Sequence, residues 1–230
     1  MVLGLMAFSA TAAQAEVGAK WLILTSGGVL KTGSELPAEI NTEAETTAIL
    51  HSKIAGIAVL YECLGQGLTG NPKLGANGSI STFQIRFSGC ITKLNGVTSK
   101  ACEPKAGGTE SGVLKTLSLD ALVVLHELTG GVKDDIIKVL PVTGNVYLHF
   151  ELGELCSIGE NVLVIGSLAL KDCENLALTH LVKHLVEVFG PLTKLFVISE
   201  TPEHAATLLG SAWAFLAGAD TGLKWSWDPI

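Results

Sequence analysis

His180 and His184 stand four residues apart in His180-Leu181-Val182-Lys183-His184, with Glu187 three residues further on. On a helix that spacing brings both imidazoles to one face, where they could share a metal ion with the carboxylate as third ligand. The glutamate that a zinc-protease motif places after its first histidine is replaced by Leu181, so the motif is incomplete. On a strand the two histidines would lie about 13 Å apart, too far for one ion. The plainer reading is a pair of solvent-facing histidines on a half-buried element. His126 beside Glu127, and His149 near Glu151, are further acid–imidazole neighbours. Alternation puts His149 and Glu151 together on the outer face of an apolar strand, the ordinary place for polar residues.

Other chemistry is marked by what is missing. No Gly-x-Ser-x-Gly elbow is present for a serine hydrolase. Gly107-Gly108 through Ser111-Gly112 lacks the lysine of a phosphate loop. Asp134-Asp135, and Asp172 with Glu174, lack the regular oxygen spacing of a calcium loop. No cofactor motif appears.

Five cysteines occur: Cys63, Cys90, Cys102, Cys156 and Cys173. Asn95-Gly96 is a strong hairpin signal, and a loop centred on Gly96 would set Cys90 opposite Cys102. Such a short bridge contributes on the order of 3 kcal/mol. Cys63 and Cys156 close two apolar runs and form the second expected pair. Cys173 is left as a buried thiol or as another partner for Cys156. A zinc site would need a closer cysteine pair and further soft ligands. A catalytic cysteine would need a histidine nearby, and none is marked.

The aromatic residues Trp213, Phe215, Trp225 and Trp227 gather near the C-terminus. Exposed on a sheet, they could stack on sugar rings or fill a partner's pocket. Their alternation with Ala214, Leu216, Lys224 and Ser226 fits burial in a core at least as well.

The elements that would position these groups read as strands. Phe83, Ile85 and Phe87 alternate with polar neighbours, as do Val146, Leu148, Phe150 and Leu152, then Val162, Val164, Leu168 and Leu170. Between the runs lie Gly70-Asn71-Pro72, Asn95-Gly96, Gly130-Gly131, Gly144-Asn145 and Gly159-Glu160-Asn161. Short strands separated by such turns predict an all-β fold, an antiparallel sandwich with little helix, as one domain or two packed subdomains. The run from Leu117 to Leu128 reads as a strand. Residues 181–189 fit helix or strand, and a weak boundary falls near Cys173 to Leu178.

Met1 to Ala12 carries no charge and ends before Ala13-Gln14-Ala15, so residues 1–15 read as a signal peptide and 16–230 as the exported domain. No lysine or arginine precedes the apolar run, so the natural precursor is expected to begin upstream of Met1. The apolar stretch is too short to span a bilayer, and no later stretch reads as a transmembrane helix. Hydrophobic residues make up 48% and charged residues 16%, the profile of a packed domain with a sparsely charged surface. A net charge of −7 argues against nucleic acid as partner. Arg86 is the one arginine, which argues against a phosphate clamp built from several.

Three phrases carry a resemblance. They are Ile85 to Cys90 ("IRFSGC") with Cys102 soon after, Gly144 to Cys156 ("GNVYLHFELGELC"), and Gly210 to Ser226 ("GSAWAFLAGADTGLKWS"). They resemble a large set of uncharacterised, exported, β-rich, cysteine-containing proteins of soil actinobacteria, discontinuously from about Ile54 to Ser226. The resemblance implies export and an all-β fold, and it brings no activity with it. The expectation is a secreted or cell-surface, non-catalytic protein, structural or binding a glycan or other cell-envelope component. The competing expectation is a secreted hydrolase or metal enzyme assembled from His180, His184 and Glu187.

Overall fold

A computed structural model describes residues 20–32, 38–107, 109–127, 133–171, 176–184, 194–199 and 203–228. The expected signal peptide, Cys173 and Glu187 lie outside them, as does the first half of the Cys173–Leu178 boundary. The described chain is all-β, with antiparallel pairing throughout its sheets. The first strands are β1 (Lys20–Leu24), β2 (Leu30–Thr32), β3 (Glu39–Ala44), β4 (Ala48–Ile54), β5 (Ile57–Thr69) and β6 (Ser79–Leu94). Short pieces follow: β7 (Val97–Thr98), β8 (Lys105–Ala106), β9 (Glu110–Ser111) and β10 (Val113–Lys115). Then come β11 (Leu119–Glu127), β12 (Lys133–Pro141), β13 (Val146–Glu151), β14 (Asn161–Lys171) and β15 (Thr179–His184). The chain ends with β16 (Lys194–Ile198), β17 (His204–Leu209), β18 (Ser211–Ala217) and β19 (Lys224–Asp228).

The packed sheets expected from the alternation are joined edge to edge. One circuit runs β6–β5–β4–β17–β16–β14–β13 and returns to β6 through a Thr116–Leu148 bridge and β10. A second runs β6–β11–β12–β14–β15–β18–β3 and comes back beside β5. Each therefore has eight strands, and the long strands β5, β6 and β14 serve both. Closure removes most of the unpaired edges that open sheets expose. A separate sheet, β19–β1–β2, covers the second circuit with Trp21, Trp225 and Trp227, all buried.

Phe83, Ile85, Phe87, Leu148, Phe150, Val162, Val164 and Leu168 point inward, as their alternation requires. At β18 the phase is reversed from the core reading. Ala212, Ala214 and Leu216 are buried, whereas Trp213 is 39% exposed and Phe215 is half-buried on the outer face. Alternation fixes two faces but does not name the inner one. The interior beside β18 already holds Trp225, so small residues fit there.

The cysteine pairing differs from expectation. Cys63 joins Cys90, and Cys102 joins Cys156. Asn95 (φ 48°) and Gly96 (φ 84°) do form a tight turn, with Leu94 opposite Val97 and Lys93 opposite Thr98. In that register Cys90 would fall opposite Ala101, not Cys102. The returning strand also ends after two residues, and a 3₁₀ turn at Lys100–Cys102 carries the chain away. Cys90 instead meets Cys63, its directly opposed residue on β5.

The chain's two tyrosines, Tyr61 and Tyr147, lie inside the first circuit, 1% and 2% exposed. Their hydroxyls have no hydrogen-bond partner among the described residues. Burial pushes both phenols far above their usual value of 10.0. The unfolded chain ionises first, so this contribution to stability is complete below pH 10 and is lost as pH rises beyond it. Absorbance titration is expected to show no tyrosinate while the chain stays folded past pH 10, then both residues ionising with unfolding. Reversible ionisation of either tyrosine near pH 10 in folded protein would refute this burial.

Candidate functional site

β3 and β5 lie side by side in the second circuit without forming a ladder. At one end a side chain fills in for the missing backbone bonds. Asn41 Oδ1 accepts from the Thr42 N–H at 2.8 Å and from the Leu68 N–H at 3.3 Å. Ile40 N–H also donates to Pro72 O, and Leu74 N–H to Ala38 O, tying the start of β3 to the segment after β5. At the other end the strands part around a groove of about 400 Å³. Glu43, Leu64, Gly65, Gln66, Arg86 and Ser88 are among its walls.

The groove follows from local sequence. Gly65 and Gly67 alternate onto the outer face of β5, between Glu43 of β3 and the Arg86–Ser88 stretch of β6. A side-chain carbon at Gly67 would sit 3.6 Å from Thr42 O, and one at Gly65 would run into Ser88 Oγ. Larger residues at these two positions would fill the trough. Leu68 turns its N–H away from β6, and strand alternation turns the Gln66 backbone groups the same way.

Both charge signs meet here. Arg86 Nη2 lies 3.6 Å from Glu110 Oε2, with the two side chains 41% and 56% exposed. A pair so well solvated holds the guanidinium only weakly, by well under about 1 kcal/mol. Its planar set of donors is therefore available to a ligand. Glu43 supplies an acceptor on the opposite wall. Directly across from Glu43 on β18 stands Trp213, on the same outer face, with Phe215 two residues along. An aromatic shelf, an acid, an arginine and a trough of open backbone thus share one surface.

The other candidates are scattered. His180 is buried on β15, not solvent-facing. Its Nε2 donates to Trp225 O at 2.7 Å, and its ring packs edge-on against Trp225, 4.4 Å between centroids. Because residues 179–184 form a strand, His184 lies about 13 Å further along. That separation is too great for one ion to bridge. Among the described residues no group of three His, Cys, Asp or Glu side chains could hold a metal. His149 and Glu151 are exposed on β13. Trp225 and Trp227 are 0% and 1% exposed, so of the four aromatics only Trp213 and Phe215 reach the surface. No helix among the described residues is long and apolar enough to cross a membrane.

Glu43, Gln66 and Ser88 escape a reading of the sequence because they belong to three strands that meet only in the fold. The one local signal was the Gly65-Gln66-Gly67 repeat inside an apolar run. Comparison with known protein families, with curated proteins and with solved structures found no match for this chain.

Proposed function

We propose that this chain is an exported, non-catalytic binding protein whose ligand is a glycan of a cell envelope. The observation that carries the reading is the outer-face groove beside Trp213. Sugar rings present apolar faces that stack on an indole and hydroxyls that need both donors and acceptors. Trp213 supplies the first, and Arg86, Glu43 and Ser88 supply the second. The two disulfides are compatible with an oxidising compartment outside the cytoplasm.

The test is affinity electrophoresis of the full chain through gels carrying soluble bacterial cell-wall polysaccharides, one at a time. At least one polysaccharide is expected to retard the protein. Trp213→Ala should weaken that retardation about tenfold, the loss of one aromatic contact worth roughly 1.4 kcal/mol. Trp213 is exposed, so the variant should keep its thermal stability. Failure of every polysaccharide to retard the chain, or equal retardation of Trp213→Ala, would refute the reading.

A further inference from the structure

Inside the second circuit lies a cavity of about 50 Å³, separate from the groove on its outer face. Its wall is almost wholly apolar, and the alanines Ala121, Ala212 and Ala214 leave the space that larger residues would fill. Three side chains on that wall break the pattern. Thr42 Oγ1, Gln66 Oε1 and Trp225 Nε1 are all buried and have no hydrogen-bond partner among the described residues. Trp225 is fully buried, so water at the surface cannot satisfy its N–H. Buried polar groups without partners are uncommon in folded proteins, and three lining one small space call for a shared explanation.

We propose that this cavity binds a small, neutral aliphatic alcohol. A hydroxyl is the simplest group that both accepts from the Trp225 indole and donates to the Gln66 carbonyl, with Thr42 able to serve either way. The ligand is neutral because the wall offers no charge to offset desolvation. Its size follows from the volume. One water needs roughly 10–15 Å³ by this measure, so the space takes about three to five such groups. A four-carbon alcohol has that number of heavy atoms. The way in is the seam between β3 and β5, where no ladder seals the wall. Gln66 and Leu68 border both the cavity and the groove outside it.

The four indole N–H signals of the full chain allow a direct test by proton–nitrogen correlation NMR with 1-butanol as probe. The Trp225 signal, assigned through Trp225→Phe, is expected to shift saturably, and n-butane at equal activity should bind at least fivefold more weakly. Ala214→Leu, which fills the cavity, should abolish the shift. Gln66→Leu removes the acceptor at similar size and should weaken binding about fivefold, so the proposal stays testable if Ala214→Leu fails to fold. A Trp225 signal that does not saturate, or that moves equally in Gln66→Leu, would overturn the proposal. So would an atomic-resolution structure in butanol showing only ordered water in the cavity.

Discussion

Replacing Cys102 and Cys156 together with alanine is expected to cost about 4 kcal/mol, as expected for removing a crosslink that closes a loop of this length. The bridge spans 54 residues of sequence. It joins two segments that little else holds. Cys102 ends a single 3₁₀ turn, and Cys156 sits in the loop between β13 and β14. Among the described residues, strand pairing beside the bridge is limited to β8 with β13, at Lys105 and Glu151. Close backbone approach makes the bridge geometrically available. A side-chain carbon at Gly153 would collide with the carbonyl of Ala101, so glycine there lets the two loops touch. The Cys63–Cys90 bridge spans 27 residues between strands already held in one ladder, and the same entropy argument gives roughly 3.5 kcal/mol. Urea unfolding of each double variant measures both costs. Non-reducing peptide mapping of the parent should recover Cys63 with Cys90 and Cys102 with Cys156. A linked Cys90–Cys102 peptide, or a loss below about 1 kcal/mol for the first variant, would show this pairing to be wrong.

The disulfides mark the limit of local reading. Asn95-Gly96 was legible as a turn and is one, because only the φ-positive pair it supplies suits a two-residue hairpin. How long the second strand continues is decided by tertiary neighbours. β6 finds its partner in β5, and the chain after Thr98 leaves the sheet. The strand around Phe83–Phe87 was legible because it has one buried face and one wetter one. The alternation also picked out Leu148, Phe150, Val162, Val164 and Leu168 as buried, whereas Tyr147, Ile165 and Ala169 are buried out of that phase. Trp213 shows the opposite case. Two alternating faces, one of small residues and one of aromatics, give no sign of which points inward until the space on each side is known. The candidate groove was less legible still. Arg86 stood out only as the single arginine, and its meeting with Glu43 and Trp213 depends on three non-consecutive strands.

Trp225→Ala is expected to lower stability by about 4 kcal/mol, within the range for truncating a buried tryptophan. Its indole lies 5.8 Å from the ring of Trp21 and 4.4 Å from that of His180. Trp21 is itself fixed, its Nε1 donating to Ser79 O at 2.7 Å. The three-stranded sheet pairs Trp21 with Trp227 and Ile23 with Trp225, so the strand near the N-terminus is held to the strand near the C-terminus. The Trp225 backbone exchanges hydrogen bonds with Ala177, and its carbonyl also accepts from His180. Removing the indole therefore leaves a void between this sheet and the second circuit, and it removes the surface that holds the His180 ring in place. Trp225→Phe keeps most of the packing and deletes an N–H that has no partner among the described residues, so its cost should be nearer 1–2 kcal/mol. Urea unfolding followed by circular dichroism measures both variants. Equal costs would show that a benzene ring recovers none of the packing that the indole supplies. A cost under about 1 kcal/mol for alanine would mean that the sheet carrying Trp225 is peripheral to the fold, and that its indole is not the roof of the second circuit.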